Sequence, residues 1–184
     1  MKTEIERKFL ICEGTDWDEK VHATKEFFNI YESIMYCRGG VRMYGENIVQ
    51  GYLPTKEGKK LARAMKLKCD FPPEEFRLRK RSQNHCFTIK GEGDIERPEL
   101  ETDISKETFG YNWYLTGGKR IWKNRLVIPY KGFNIDMDVY DNKSGRILAE
   151  VEFPSRKDAD SYPLLGKEVT EDPKYKSINM VERR

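Results

Sequence analysis

The chain consists largely of short segments in which charged and apolar residues alternate. In the first segment, residues 4–11, Glu4, Glu6 and Lys8 stand two positions apart among apolar residues. Because successive side chains of a strand point to opposite faces, these three charges are expected on one face of a strand. Similar alternation predicts six later strands, at residues 76–80, 86–90, 98–104, 121–128, 133–140 and 147–153.

The segments before residue 76 are less regular. Residues 17–28 fit a short helix or an irregular segment, and residues 31–53 are rich in strand-forming residues around a turn at Gly39 and Gly40. Residues 54–75 contain a basic stretch at 56–68 and a proline pair near their end. We expect this last segment to be an insertion between two strands.

Helix-capping residues mark three further helices. Residues 105–114 are predicted to form a helix with Ser105 as its N-cap, since a serine in this place can accept a hydrogen bond from the first turn. Two shorter helices are expected after residue 153. Ser155 is the candidate cap of the first, and Pro173 fits the first turn of the second.

Length and composition favour a single domain that covers residues 1–184. Charged residues make up 35% of the chain, yet the net charge is only +3. Both signs are scattered through the strand-like segments, which does not favour a nucleic-acid-binding block. The four cysteines lack the paired spacing of a structural zinc site. No apolar run reaches the length of a membrane span or a signal sequence, so we expect a cytoplasmic protein.

The charges are segregated by sign among the predicted strands. Like charges two apart on a strand lie about 7 Å from each other. At that distance they repel by about 0.6 kcal/mol in water and about 2.4 kcal/mol at an effective dielectric constant of 20. A solvated outer face explains most charged alternation in proteins, but a surface strand gains nothing from pairs of like charge. Basic pairs occupy the strands of Arg77 and Arg125, and acidic pairs those of Glu4, Glu99, Asp138 and Glu150.

Charged faces of this kind fit the interior of a closed sheet. We therefore predict an α+β fold: an antiparallel β-barrel of about eight strands that forms a charged tunnel, with helices packed outside. Clustered carboxylates without histidine or cysteine suit hard cations such as Mg²⁺ or Mn²⁺. Arginines and lysines facing them suit phosphate oxygens. Together these side chains predict a site for a metal-bridged polyphosphate.

The order of these motifs resembles the CYTH superfamily, the triphosphate tunnel metalloenzymes. Residues 4–8, EIERK, match its ExExK signature. The resemblance extends over nearly the whole chain through QGYL at 50–53, RLR at 77–79, TIK at 88–90, RPELE at 97–101, KNR at 123–125, DVY at 138–140, AEVEF at 149–153 and the segment 165–180. The length of residues 54–75 departs from the compact bacterial members of the superfamily.

The resemblance implies a role for each charged position. Glu4, Glu6 and Lys8 are the implied catalytic residues. A triphosphate would be held by Lys8, Arg77, Arg79, Lys90, Lys123 and Arg125. One or two divalent cations would be held by Glu4, Glu6, Asp138, Glu150 and Glu152. Glu99 and Glu101 are expected in the tunnel wall.

The activity implied by the resemblance is metal-dependent hydrolysis of inorganic triphosphate, with nucleoside triphosphates as further substrates. Water would attack a phosphorus inside the tunnel, a reaction that needs mainly positioning and charge neutralisation from the protein. Class IV adenylyl cyclase and thiamine triphosphatase are alternative enzymes. A non-catalytic polyphosphate- or nucleotide-binding module is the alternative of another class. The basic run 56–68 is either solvated surface or a lid that recruits long polyphosphate or nucleic acid.

Overall fold

A computed structural model of the chain describes residues 2–14, 20–35, 44–141 and 145–183. Within these ranges the four α-helices are α1, Lys25–Met35; α2, Thr55–Ala64; α3, Lys106–Trp113; and α4, Arg156–Ser161. The strands are β1, Lys2–Cys12; β2, Tyr44–Tyr52; β3, Glu75–Arg81; β4, Asn84–Lys90; β5, Glu96–Asp103; β6, Lys119–Tyr130; β7, Phe133–Tyr140; β8, Ile147–Glu152; β9, Lys167–Glu168; and β10, Glu182–Arg183. Short 3₁₀ turns occupy Tyr114–Thr116, Pro173–Tyr175 and Ser177–Asn179.

Eight strands pair in one closed circuit. Their order is β6-β2-β3-β4-β5-β1-β8-β7, and β7 pairs back onto β6. The pairs β2–β3, β3–β4, β4–β5, β1–β8, β7–β8 and β6–β7 are antiparallel. The two-residue strands β9 and β10 pair with β1 and β6. This pairing confirms the predicted α+β fold with a closed antiparallel barrel of eight strands.

The chain divides into two compact units, which we describe separately. The first unit comprises residues 1–4, 48–122 and 173–184, and the second comprises residues 5–47 and 123–172. The prediction of a single domain over residues 1–184, with an insertion at 54–75, stays a prediction.

The core of the first unit lies where α2 and α3 pack on β3 and β4. Phe76 and Leu78 of β3 are buried with Phe87 and Ile89 of β4. Helix α2 approaches β3 at Gly58, where an added Cβ would lie only 2.1 Å from the ring of Phe76. A larger residue at position 58 would therefore push the helix off the sheet.

The core of the second unit packs α1 and α4 against β1, β7 and β8. Phe9, Ile135 and Val151 of the three strands are completely buried. The burial of Ile135 and Val151 follows the alternation predicted from sequence, because charged residues flank each of them or lie next to it. Phe9 instead lies in a continuous buried run over residues 7–12.

The two serine caps are confirmed. Ser105 Oγ accepts a hydrogen bond from the backbone N–H of Thr108 at 3.1 Å, and Ser155 Oγ accepts one from Asp158 at 3.2 Å. Pro173 begins a 3₁₀ turn rather than an α-helix.

The prediction of β-structure over residues 31–53 is wrong at its start. Residues up to Met35 belong to helix α1, in which Phe27 and Ile30 contact the core of the second unit. These residues share one face of a helix, and burial of that face overrides their strand propensity. The end of the range is confirmed by β2. The predicted turn at residues 39–40 lies outside the described residues.

Candidate active site

In the first unit, charged rows of three adjacent strands meet across the sheet. The strand register places Arg77 of β3 beside Thr88 of β4, and Thr88 beside Glu101 of β5. Arg77 Nη2 donates to Thr88 Oγ1 at 3.3 Å, and Thr88 Oγ1 donates to Glu101 Oε2 at 2.8 Å. The guanidinium of Arg77 is 3.6 Å from Glu101 and 4.0 Å from Glu99, and Arg79 is 4.0 Å from Glu101. These arginines are therefore held by long contacts to carboxylates.

Lys90 forms the tighter ion pairs of the first unit. Its ammonium lies 2.8 Å from Glu99 and donates a hydrogen bond to Glu4 Oε2. All three side chains are buried. A buried ammonium between two carboxylates is well compensated, so this group leaves an excess of negative charge. Lys90 lies on β4, the strand that pairs with the one carrying Arg77 and Arg79.

Two neutral side chains of β2 lie beside Arg77 and Arg79, and we call these four residues the arginine face. Gln50 and Tyr52 of β2 lie opposite Arg79 and Arg77 in the strand register, and Gln50 Nε2 donates to Tyr52 Oη at 2.6 Å. Among the described residues, Gln50 Oε1 and Arg77 Nε are buried without a hydrogen-bond partner. A buried polar atom without a partner costs about 1–3 kcal/mol, so both atoms favour contact with a bound ligand.

Burial and the nearby charge of Glu75 raise the pKa of Tyr52. The phenol therefore keeps its proton in the physiological range and acts as a neutral hydrogen-bonding group. A role as a general base is not favoured by this environment.

In the second unit, Arg125 of β6 is the centre of a dense ionic cluster. Its Nε and Nη2 donate to the two carboxylate oxygens of Asp138, each at 2.7 Å, and Nη2 also donates to Glu150 at 2.7 Å. Nη1 donates to Asp136. Asp138 is completely buried. Burial alone would lower the pKa of Arg125, but the surrounding carboxylates raise it well above its ordinary value.

Two lysines complete the cluster around Arg125. Lys123 donates to Asp138, and Lys8 Nζ is 2.8 Å from Glu150 and 3.7 Å from Glu6. Burial alone would raise the pKa of Glu150, but the charges of Lys8, Lys123 and Arg125 lower it well below its usual range. The raised pKa of Lys8, the raised pKa of Arg125 and the lowered pKa of Glu150 keep these three groups charged at neutral pH.

A group of carboxylates lies on the adjacent strands β1 and β8. Glu6 and Glu152 are directly opposite each other across this strand pair. Glu4 precedes Glu6 by two residues on the same strand and so shares its face. Like charges directly opposite destabilise a strand pair, and a bound cation would remove that repulsion. The donors are all oxygens, which fits Mg²⁺ or Mn²⁺.

Arg7 lies on the face of β1 opposite to Glu6 and Lys8, and its hydrogen bonds hold this strand in place. Its Nε and Nη2 donate to the two oxygens of Glu168 at 2.8 and 2.7 Å, and its Nη1 donates to the carbonyls of Ala159 and Tyr162. Arg7 stands between Glu6 and Lys8 in sequence, so this bidentate contact anchors the backbone that carries both residues.

The predicted site residues fall into two groups. The first unit holds Glu4, Arg77, Arg79, Lys90, Glu99 and Glu101. The second unit holds Glu6, Lys8, Lys123, Arg125, Asp138, Glu150 and Glu152. Sequence reasoning did not assign Gln50, Thr88 or Asp136 to the site. Their positions could have identified them, because each is two residues from a predicted site residue or lies opposite one in the sheet.

No protein-family model matches the chain. The chain is 32% identical over 181 residues to an inorganic triphosphatase of Nitrosomonas europaea, an alignment that covers 95% of this chain and 94% of that protein. An inorganic triphosphatase of Acetivibrio thermocellus is 30% identical over 113 residues, which cover 59% of this chain and 72% of that protein.

Two solved structures are similar to the chain. The crystal structure of an inorganic triphosphatase is 28% identical, covers 98% of this chain and 95% of its own, and superposes with a TM-score of 0.55. A protein of Pyrococcus horikoshii OT3 shares the fold, with 16% identity, coverage of 85% and 83%, and a TM-score of 0.50. None of the described helices has the length and apolar character needed to cross a membrane.

Proposed function

Because the chain belongs to the inorganic triphosphatase family, we propose that it hydrolyses inorganic triphosphate to phosphate and pyrophosphate. The observation that carries this proposal is the alignment with the triphosphatase of Nitrosomonas europaea over nearly the full length of both chains. The EIERK run and the later motifs further support placing it in the CYTH superfamily.

The arginine face of the first unit supports binding of the phosphate chain. Arg77 contacts Thr88, Glu101 and Glu99 at 3.3–4.0 Å, and its Nε has no partner among the described residues. Arg79 lies 4.0 Å from Glu101. An anionic phosphoryl group would supply the missing acceptor for Arg77 Nε. Arginine suits this role because it can bind two phosphate oxygens at once.

The acidic group on β1 and β8 supports a divalent-cation site. Glu4, Glu6 and Glu152 would hold the ion, and their donor set fits Mg²⁺ or Mn²⁺. When bound, the ion supplies charge neutralisation at phosphoryl oxygens. The resemblance also implied Asp138 and Glu150 as metal ligands; in the structure both accept hydrogen bonds from Arg125, so they would have to share their oxygens with it.

In the reaction, the oxygen of a water molecule attacks a terminal phosphorus of triphosphate. The bridging P–O bond breaks, and the electron pair leaves on the oxygen of pyrophosphate. We propose that Arg77, Arg79 and Lys90 hold the phosphate chain, while Lys8 neutralises charge that develops during the displacement. The resemblance also implied Arg125 as a substrate contact; because it donates to Asp136, Asp138 and Glu150, we propose that it mainly fixes these carboxylates. We propose that Glu6, which lies 3.7 Å from Lys8, would orient the attacking water. A cytoplasmic location stays a prediction.

A substrate panel tests the proposed function. Phosphate release from tripolyphosphate, ATP and thiamine triphosphate should be measured with Mg²⁺ and with Mn²⁺, and cyclic AMP formation from ATP should be followed in parallel. We expect tripolyphosphate to be the preferred substrate. Production of cyclic AMP would identify a cyclase, and preference for thiamine triphosphate would identify a thiamine triphosphatase. Tight tripolyphosphate binding without turnover would identify a binding module.

A further inference from the structure

Helix α2 and the turn after it present a row of unneutralised positive charge. Six cationic side chains are exposed there, and we call them the basic row: Lys56, Lys59, Lys60, Arg63, Lys66 and Lys68. The only acidic residue between positions 55 and 69 is Glu57.

The members of the basic row lack the carboxylate partners that several other cations of the first unit have. Within the described part of the chain, no salt bridge is formed by any of its six members. By contrast, Arg97 pairs with Glu75, and the exposed Lys176 pairs with Asp94 at 2.6 Å. The chain contains 31 acidic residues, so counter-charges were available to the fold. The single carboxylate of Glu57 among six cations leaves a local excess of positive charge in this segment.

The packing of α2 holds this charge in a fixed arrangement. Leu61 and Ala62 are buried in the first unit's core, and Gly58 lies against Phe76. Positions three or four apart share one face of a helix, so Lys56, Lys59 or Lys60, and Arg63 follow one another along the exposed side. From residue 56 to residue 63 the helix rises about 10 Å.

The turn after α2 adds a second observation. Lys66 has a φ of 56°, in the left-handed region that glycine adopts without strain. Its backbone N–H donates to the carbonyl of Arg63, and that of Leu67 donates to Ala62, as in a helix C-cap. A lysine therefore occupies the position where glycine is the preferred residue. Its charge extends the basic row past the end of the helix.

We propose that the basic row binds linear inorganic polyphosphate longer than triphosphate and so recruits extended substrates. This inference rests on the proposed function, because it extends the same phosphoanhydride chemistry to a longer chain. Charge complementarity selects a linear polyanion. No aromatic residue lies between positions 55 and 69 to stack on bases, which favours polyphosphate over single-stranded nucleic acid.

A charge-matched pair of variants tests the inference. The test variant carries Lys56→Gln, Lys59→Gln and Lys60→Gln. The control carries Lys25→Gln, Lys106→Gln and Lys157→Gln, which are exposed lysines in other helices. Binding of long-chain polyphosphate, freed of tripolyphosphate, should be measured by titration calorimetry at low and high salt. We expect about tenfold weaker binding by the test variant at low salt, and a smaller difference at high salt.

The control variant should bind polyphosphate like wild type, and both variants should retain wild-type turnover of tripolyphosphate. Equal weakening in test and control variants would overturn the inference, because it would show a response to net charge alone. Equal affinity of wild type and test variant would also overturn it. If single-stranded RNA bound through the basic row and polyphosphate did not, the partner would be nucleic acid.

Lys66→Gly provides a variant that is expected to fold well. Glycine adopts the observed φ without strain, so thermal stability should not fall, while polyphosphate binding should weaken by about twofold through the lost charge. Unchanged polyphosphate affinity would show that Lys66 does not contribute to polyphosphate binding by the basic row. The two proposals can fail separately: direct binding tests the basic row even if wild type does not hydrolyse tripolyphosphate, and turnover tests the proposed function even if polyphosphate does not bind.

Discussion

The two units of the chain use arginine in different ways. Arg125 in the second unit makes 2.7 Å hydrogen bonds to Asp138 and Glu150 and also pairs with Asp136. Arg77 in the first unit reaches Thr88 at 3.3 Å and carboxylates only at 3.6 and 4.0 Å. Both side chains are buried to a similar extent. Burial alone therefore does not tell whether an arginine mainly stabilises the fold. The distance between its guanidinium and the nearest carboxylates distinguishes the two cases.

The contrast assigns different tasks to the two residues. A buried arginine that already satisfies several carboxylates stabilises the fold, because each partner would otherwise be a buried charge without compensation. A buried arginine with long contacts and an unpartnered Nε is prepared for an anion that the fold itself does not supply. We expect Arg125 to affect stability most and Arg77 to affect binding most.

Arg125→Ala is the largest expected perturbation. Removal of the guanidinium leaves Asp138, Asp136 and Glu150 with less compensation, and Asp138 has no exposed surface. We expect a loss of about 3–5 kcal/mol in the free energy of unfolding. Denaturant titration by circular dichroism measures it, with Arg125→Lys as a control that keeps the charge and should lose less. A loss below about 1 kcal/mol would remove the distinction between the two arginines.

Glu6→Gln tests the acidic group on β1 and β8. The amide keeps the size of the side chain but removes one negative charge opposite Glu152. We expect metal-dependent turnover of tripolyphosphate to fall by at least about a hundredfold, while some tripolyphosphate binding remains. Turnover and calorimetric binding should be measured on the same preparation. Wild-type turnover in this variant would contradict the role given to Glu6.

Arg77→Ala should separate binding from stability. We expect the dissociation constant for tripolyphosphate to rise about tenfold, since one charge-assisted contact is lost. The stability loss should be about 1–2 kcal/mol, smaller than for Arg125→Ala, because Glu99 keeps Lys90 and Glu101 keeps Thr88 as partners. An unchanged dissociation constant would refute the assignment of Arg77 to substrate binding.

Glu168→Gln gives the smallest expected effect and a pH signature. The hydrogen bond from Arg7 lowers the pKa of Glu168. A lowered pKa in the folded state stabilises the protein above the ordinary pKa of a glutamate, about 4.3, and this contribution is lost as the pH falls through the folded value. Since Glu168 is partly exposed, the contribution should be about 1 kcal/mol or less.

Thermal unfolding of wild type and Glu168→Gln should be compared at several pH values. The wild type should be more stable near pH 7, and the difference should shrink as the pH falls below about 4. A difference that stays constant with pH would show that the Arg7–Glu168 contact does not act through the charge of the carboxylate.

Strand alternation was enough to predict most of the barrel. The charged rows at Arg77, Lys90 and Glu99 fell on neighbouring strands, because β3, β4 and β5 are consecutive antiparallel strands joined by short connections. The link between β6 and β7 also has a local signal: Lys131 and Gly132 both have positive φ, as a two-residue hairpin of this type requires.

Other features depend on long-range packing. Helix α1 forms because Ile30 is buried and Phe27 partly buried against the core of the second unit, which the local propensity of the segment does not reveal. The pairing of Glu150 with Arg125 requires β7 to lie between β6 and β8, and strand order is not encoded in alternation. Gln50 and Thr88 were missed because neutral polar residues leave no mark in a charge pattern.

The most direct test of the central claim is the time course of phosphate release from tripolyphosphate by wild-type protein. The reaction should be started in the presence of a chelator, and excess Mg²⁺ should be added afterwards. We predict little release before the addition and rapid formation of equal amounts of phosphate and pyrophosphate after it. No release after Mg²⁺ or Mn²⁺ addition, by protein that binds tripolyphosphate, would contradict the assignment of this chain as a triphosphatase.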